Sequence, residues 1–429
     1  VTISAEEITM KILVTLGPAS MKESVVRTMT ELGVHLFRLN MSHAKHDWAR
    51  AVVGHIRAAA AARECVPGIV MDLQGPSIRT GEIPASVMLV KGDRFDFTID
   101  PKLKSERLVS VNYPDFLNDI EEGAIIQVDN GLIRMRVLRI TGTVAECEVE
   151  IGGEMGSRRH INLPGTKVKL PALTNKDKAD VALGLETNLD YIALSFVREA
   201  SDVAQLREFI AGDAHPPKVI AKVEDQYAIK NIDAIIDASD VIMVARGDLG
   251  VEIGDAELPG VQKRLIAAAL RANKVVITAT QMMQSMVTSL QPTRAEVLDV
   301  ANAVLDGTDA VMLSAETAMG QHPPRVIEAM DRICQGAEQH AGVTTPRERG
   351  DARFGDTDEA IAMAAMYTAN HYSISGILAM TESGATAKWM SRITSAIPIF
   401  AMTRWPTTER RTALYRGVYP VAFDPTGFS

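Results

Sequence analysis

Lys222 and Glu224 stand two residues apart in the run VIAKVED (219–225), whose Val219, Ile220, Ala221 and Val223 are apolar. Side chains alternate faces along a strand, so the ammonium and the carboxylate point the same way. Two charges at the end of an apolar strand are costly to bury unless they are paired or hold a metal. A salt bridge that merely caps a strand meets that condition too. The elements around the pair must decide.

Those elements form a rhythm. Short apolar runs recur at 11–16, 34–39, 68–73, 191–196, 218–223, 240–245, 274–279 and 309–314. Segments of helical length lie at 47–63, 176–186, 201–211, 226–237, 257–272, 294–305 and 324–340, with Asp47 and Ser201 expected as N-caps. Eight apolar strands alternating with helices predict an α/β fold, a (β/α)8 barrel. About a hundred residues break the rhythm: from 74 to 171 the chain alternates apolar and polar positions without a helical period. They predict a small β-barrel domain inserted after the third strand. A polar stretch near 341–357 is expected to be a linker. After it, strands at 375–380, 397–402 and 418–423 alternate with helices at 357–370, 385–394 and 407–415. The expected domains are therefore 1–73 with 172–342, then 74–171, then 343–429. The last looks incomplete where the chain stops at Ser429, just after a strand.

Active sites of such barrels form at the C-terminal strand ends. There the sequence places Thr15, Arg38, Asn40, Ser42, Asp72, Arg79, Ser195, Lys222, Glu224, Arg246, Gly247, Asp248, Thr280, Ser314, Glu316 and Thr317. Any barrel has polar loops, but three arginines, a lysine and four carboxylates at one mouth exceed that expectation. Glu224 and Asp248, on neighbouring strands, suit Mg²⁺ or Mn²⁺. Arg38, Arg79 and Lys222 suit phosphate or carboxylate groups. Asn40, Ser42 and Asp72 suit a second, monovalent cation. The set describes positioning and charge neutralisation of phosphates, which is what phosphoryl transfer requires. Neither a GxxxxGK[ST] loop nor a protein-kinase HRD and DFG pair is present.

Composition narrows the partners. The 429 residues are 46% hydrophobic and 23% charged, ordinary for a globular protein, and the net charge is −9. An acidic chain argues against nucleic acid or an anionic membrane as main partner. Cys65, Cys147 and Cys334 are far apart, which fits a reduced, cytoplasmic setting and excludes a cysteine-built zinc site. No run of 18 apolar residues exists, and the opening VTISAEEITMK lacks the core of a signal peptide. Of nine histidines only His43 and His46 lie close together, a pair read as a polar loop.

At this point the chain resembles the pyruvate kinase family. TLGPAS, FRLNMSHA, MDLQGPSIRTG, VDNGLI, NLPG, VIAKVED, VARGDLGVE, ATQMMQSM, PTRAE, DAVMLSAETAMG and ALYRGVYP follow the family's segments in order. The resemblance implies a barrel, an inserted lid and a C-terminal regulatory domain. It implies transfer of a phosphoryl group from phosphoenolpyruvate to ADP, giving pyruvate and ATP, in a homotetramer. It implies that Lys222 stabilises the phosphoryl group in transit and that Glu224 and Asp248 bind Mg²⁺. Gly247, Asp248 and Thr280 would hold the substrate and Arg38 its phosphate, with Thr280 relaying a proton to the enolate. Arg79, Arg159, Asn40 and His43 would bind nucleotide; Arg159 stands where the family has Lys. Asn40, Ser42, Asp72 and the Leu73 carbonyl match the family's K⁺ site.

Two features depart from the pattern. Members needing potassium usually read DTKGPE at strand three and potassium-independent members DLQGPK. This chain has Leu73 and Gln74 of the second group, but Ser77 brings no ammonium. The loop TESGAT resembles the family's regulatory phosphate loop, so Thr381, Ser383, Gly384 and Thr386 are expected to bind a phosphorylated effector, a sugar monophosphate or AMP, at a helix start. An enolase-like or carboxylase-like barrel is the enzyme alternative; the inserted domain and Lys222-x-Glu224 speak against it. A non-catalytic sensor would be expected to lose Lys222, Glu224 or Asp248, and all three are present.

Overall fold

The structure, a computed structural model, describes residues 10–62, 66–339, 354–355 and 357–427. Eight parallel strands close a barrel: β1 (Lys11–Leu16), β2 (Leu36–Asn40), β3 (Gly68–Asp72), β4 (Tyr191–Leu194), β5 (Lys218–Val223), β6 (Val241–Ala245), β7 (Val275–Ala279) and β8 (Ala310–Leu313). Each pairs with the next, and β8 returns to β1. Nearly every strand residue is buried, because helices cover the outside and side chains fill the inside. The predicted barrel is present.

The base of the barrel carries a fourfold repeat. The residue just before each even strand is His35, Asp190, Asp240 or Asp309. Each accepts, through its side chain, the backbone N–H of the second residue of the preceding odd strand. The bonds are Ile12 N to His35 Nδ1 at 3.2 Å, and Ile69, Val219 and Val276 N to their aspartates at 2.9 Å each. The backbone N–H of the same residue returns a bond to that odd-strand carbonyl, at 2.8–3.3 Å. An N–H that the staggered sheet leaves without a strand partner is thereby satisfied. Burial and nearby Lys11 hold the His35 imidazole well below its ordinary pKa, which keeps Nδ1 an acceptor.

Two corrections concern helix starts. Asp47 lies in the first turn of the helix His46–Ala61, whose N-cap is Lys45. Ser201 lies inside Ala200–Ile210; Glu199 is the N-cap, and its N–H donates to Asp202 Oδ2 at 3.0 Å. The segment 226–237 is two helices, Gln226–Lys230 and Ile232–Ala238, meeting at Asn231.

Between β3 and β4 the chain builds a curled six-stranded sheet in the order Ile161–Asn162, Ile125–Val128, Ile133–Thr141, Val144–Ile151, Arg94–Thr98, Leu108–Ser110. Its core holds Phe95, Phe97 and Phe116. One helical turn, Phe116–Asp119, interrupts an interval expected to lack helix. The lid rests on the barrel through Gln127 Nε2 to Val251 O at 3.2 Å and Tyr227 OH to Gly165 O at 3.2 Å.

The C-terminal unit is a parallel three-stranded sheet, Ile377–Met380, Ile399–Thr403 and Val418–Ala422, with helices Thr357–His371, Ala385–Ser391 and Pro406–Thr412. Its apolar core is continuous with the inside of the barrel. Arginines from it reach the base repeat: Arg410 Nε lies 2.7 Å from Asp190 Oδ1 and Arg392 Nη1 2.9 Å from Asp309 Oδ2. Buried Lys11 donates to Val418 O at 2.7 Å. Cys65 and most of the stretch 341–357 lie outside the described residues. Cys147 and Cys334 are buried and unbridged, and burial pushes both thiols up.

Candidate active site

Strand register assembles the mouth. β2 and β3 pair with Arg38 opposite Val70 and Asn40 opposite Asp72. Arg38 reaches Asp72 from two positions earlier, with Nε 2.6 Å from Oδ2, and Nη1 donates to Thr15 Oγ1 at 2.9 Å. Lys222, on the inner face of β5, donates to Ser195 Oγ at 2.7 Å and lies 3.2 Å from Asp72 Oδ1 and 3.0 Å from Glu224 Oε1. The shared strand face therefore produces the expected ammonium–carboxylate contact. The Ser195 hydroxyl in turn donates to Leu73 O at 2.8 Å. One buried network thus links the ends of β1 to β5.

Its charges do not balance evenly. Burial alone would raise the Asp72 carboxyl, but Arg38 and Lys222 pull it below its ordinary value. Burial alone would lower Lys222, and Asp72 and Glu224 more than reverse that, so the ammonium is held charged. Glu224 and Asp248 go the other way. Burial raises both, and although Lys222 opposes it, Asp248 repels Glu224 and Asp72 repels Asp248. Two carboxylates that resist ionising together, Glu224 buried and Asp248 partly so, fit a hard divalent cation. Phe196, whose φ of 55° is left-handed, turns its N–H onto Glu224 Oε2 at 2.7 Å. No group of three His, Cys, Asp or Glu side chains able to hold a metal occurs among the described residues, so water and substrate oxygens would complete the shell.

Gly247 and Asp248 open the helix Arg246–Ile253. The Gly247 N–H donates to Thr280 Oγ1 at 2.7 Å. Thr280 and Gln281 hold φ values of 68° and 56°, costly for non-glycine residues. Arg246 explains their persistence. Buried, it grips Thr280 O at 2.7 Å and Asp299 Oδ1 at 2.7 Å. It faces the helical layer, so it braces the mouth instead of joining it. Glu316 is likewise internal, accepting from Met283 N at 3.1 Å and Ser314 N at 2.7 Å.

Three of the K⁺ candidates, Asn40, Asp72 and the Leu73 carbonyl, have oxygens that already meet protein groups. Asn40 Oδ1 accepts from Ser42 N at 3.1 Å, Asp72 serves Arg38 and Lys222, and Leu73 O serves Ser195. His43 is exposed on the turn after β2, and its neighbour in sequence, His46, contacts Asp180 at 2.7 Å. In the lid, Arg79 Nη1 donates to Arg158 O at 3.1 Å, and Arg159 Nη1 lies 3.0 Å from Asp129 Oδ2. Arg159 Nε is buried without a partner. In the C-terminal unit, Thr381 Oγ1 and Ser383 Oγ accept from the N–H groups of Gly384 and Ala385, at 2.9 and 3.4 Å.

Three groups gained weight only in the structure. Ser195 was one polar strand end among many, and it proves to join Lys222 to Leu73. His160, in the lid, has Nδ1 3.6 Å from Asp248 Oδ1 and its ring 5.8 Å from that of Phe196. Burial and the charge of Arg79 lower its pKa to about 4. Glu252 is pushed up to about 8 by burial and by Asp225 and Asp248. A cleft between lid and barrel is lined by His160, Asn162, Phe196, Glu224 and Glu252.

Comparison with known proteins agrees with the motifs. The barrel-domain model of pyruvate kinase matches residues 8–327, and the model of its alpha/beta domain matches 359–428. Pyruvate kinase II of Salmonella typhimurium is 45% identical over 96% of this chain and 88% of its own length. A pyruvate kinase of Buchnera aphidicola is 44% identical over the same shares. That of Haemophilus influenzae is 42% identical over 96% of this chain and 87% of its own. With two domain models in order and relatives matched over nearly their whole length, the chain belongs to the pyruvate kinase family of phosphotransferases.

Proposed function

We propose that the chain transfers a phosphoryl group between phosphoenolpyruvate and ADP, forming pyruvate and ATP in the cytoplasm as the last step of glycolysis. The observation that carries this reading is the Lys222 ammonium, held charged between Asp72, Glu224 and Ser195 beside Arg38. Arg38 anchors the substrate phosphate. Lys222 meets the charge that spreads over the phosphoryl oxygens in transit. Gly247, Asp248 and Thr280 hold the carboxylate end of the substrate, and Thr280 relays the proton that the enolate takes up. Glu224 and Asp248 would hold Mg²⁺ or Mn²⁺, which supplies further neutralisation of phosphate charge when bound. Arg79 and Arg159 approach the nucleotide phosphates from the lid, with Asn40 and His43 on the barrel side.

The finer assignments rest on the family's pattern. Asn40, Ser42, Asp72 and the Leu73 carbonyl are assigned to K⁺, with the requirement weakened by Leu73 and Gln74. Thr381, Ser383, Gly384 and Thr386 are assigned to a sugar monophosphate or AMP. Support comes from Gly384, whose φ of 86° turns the chain from the strand Ile377–Met380 into the helix Ala385–Ser391. Residues 1–73 with 172–342, 74–171 and 343–429 are proposed as the three domains, and a homotetramer as the assembly. Among the described residues no helix is long and apolar enough to cross a membrane.

The test is pyruvate formation from phosphoenolpyruvate with ADP and Mg²⁺, in K⁺ and in tetramethylammonium buffers. Activity that requires ADP is expected. Turnover of phosphoenolpyruvate without ADP would favour a different barrel enzyme. Ser77→Lys should reduce any dependence on K⁺ by placing an ammonium near the assigned ion.

A further inference from the structure

His160 is not explained by the reading above. It lies on the lid immediately before the strand Ile161–Asn162 and forms an isolated antiparallel bridge with Arg79. Its backbone is fixed: the carbonyl accepts from Asp129 N at 2.9 Å. Its side chain leaves the lid for the barrel. The ring tilts against Phe196 at 5.8 Å, and Nδ1 stops 3.6 Å from Asp248 Oδ1. That separation exceeds a direct hydrogen bond. Among the described residues no protein group hydrogen-bonds either ring nitrogen, although the side chain is only 14% exposed. The ring instead lines the cleft between lid and barrel, where a ligand entering the mouth would meet its N–H. The neighbours indicate which ligand. Arg79 and Arg159 flank His160 on the lid, and Glu224 and Asp248 face it from the barrel.

We propose that His160 is a further catalytic residue, donating a ring N–H to an oxygen of the phosphoryl group while it passes between substrate and nucleotide. This rests on the reading of the site as a phosphoryl-transfer centre. In the step, the bond from phosphorus to the enolate oxygen breaks and a bond to a terminal oxygen of ADP forms. The enolate then takes a proton at carbon. His160 keeps its own proton throughout and supplies only a hydrogen bond. In either protonation state the ring carries an N–H, so the role does not depend on titration. Lys222 reaches the oxygens from the barrel floor and His160 from the lid, so the donor set is complete only with the lid in place. A donor aimed at developing charge acts on kcat more than on ground-state binding.

The test compares His160→Ala, His160→Gln and His160→Phe with the wild type. Steady-state kinetics is measured alongside equilibrium Mn²⁺ binding by electron paramagnetic resonance. Ala and Phe should each lower kcat by roughly 10- to 100-fold, at or below the range for one transition-state donor. KM for phosphoenolpyruvate and Mn²⁺ affinity should stay within about twofold of wild type, and Gln, which keeps an N–H, should recover several-fold of the loss. Phe keeps the packing on Phe196 without a donor, so it decides the case if Ala does not fold. Near-wild-type kcat in Phe would overturn the proposal, as would a loss matched by weaker Mn²⁺ binding. Absence of ADP-dependent activity in the wild type would instead remove the underlying reading.

Discussion

At the scale of single residues, the decisive contrast lies between one acid and a pair of others. Asp72 shares Arg38 and Lys222 and stays ionised, whereas Glu224 and Asp248 are raised by burial and repulsion. Lys222 is thus tied to a fixed counter-ion and still faces the mouth. Lys222→Met should leave the fold and Mn²⁺ binding largely intact while kcat falls by about 10³-fold or more, as for a lost transition-state cation. A variant keeping a tenth of wild-type kcat would remove this role from Lys222. The raised acids lead to a second prediction. Their folded pKa values exceed the unfolded ones, so without a cation their contribution favours folding at low pH and is lost as pH rises through the folded values. A divalent cation reverses that loss. The rise in Tm on adding Mg²⁺ should therefore grow as pH is raised from the ordinary carboxylate range, and in Asp248→Asn it should shrink by more than half. Calorimetric melts across that pH series, with and without Mg²⁺, measure it.

At the scale of elements, the residues before the even strands do more than the apolar runs foretell. His35, Asp190, Asp240 and Asp309 occupy equivalent places, and only one is not an acid. Because burial and Lys11 depress the His35 pKa, the folded barrel refuses a proton that the unfolded chain accepts near 6.5. Stability should fall as pH drops below that value. His35→Asn offers an acceptor oxygen in place of Nδ1 without titrating. It should fold and show a shallower loss of Tm between pH 7.5 and pH 5.5; an unchanged slope would mean that His35 does not contribute to it. The strands themselves were legible because burial on both faces leaves an almost continuous apolar run, as in Val241–Ala245. The helix starts at Lys45 and Glu199 were not, because neither is a preferred capping type and their caps form from first-turn acids or from backbone alone. Strand ends exposed Lys222, Glu224 and Asp248 for the same reason that the strands were visible. Arg246 was misleading, since a strand end shows where a side chain begins and not whether it turns to the mouth or to the helices.

At the scale of the whole molecule, the lid and the C-terminal unit approach the barrel from opposite ends. His160 escaped the sequence because nothing in the alternation of residues 74–171 tells which lid edge overhangs Asp248; long-range placement carries no local period. The C-terminal unit reaches the base through Arg410 and Arg392, and its core joins the barrel's. An effector signal would have this rigid route to the strands, acting by shifting two states of the assembly. Ser383→Asp would put a negative charge beside Glu382 at the assigned anion loop. Activation by ribose 5-phosphate, glucose 6-phosphate or AMP, read as a lower KM for phosphoenolpyruvate, should vanish with kcat at saturation unchanged. A normal response in the variant would place the effector elsewhere.

The base repeat also divides the barrel into quarters. Each quarter is an odd strand, its helix and the following even strand, closed by its own pair of hydrogen bonds. A chain reopened between quarters keeps every such closure within one continuous piece, whereas a cut inside a quarter leaves one closure to form between separated ends. The exposed turn at 211–216, between the second quarter and the third, is a natural place for new termini. The Arg207–Asp240 and Arg410–Asp190 ion pairs of the base repeat span that cut. Two fragments meeting there should reassemble into an active barrel more readily than fragments divided at 238–239, where β5 would be parted from β6.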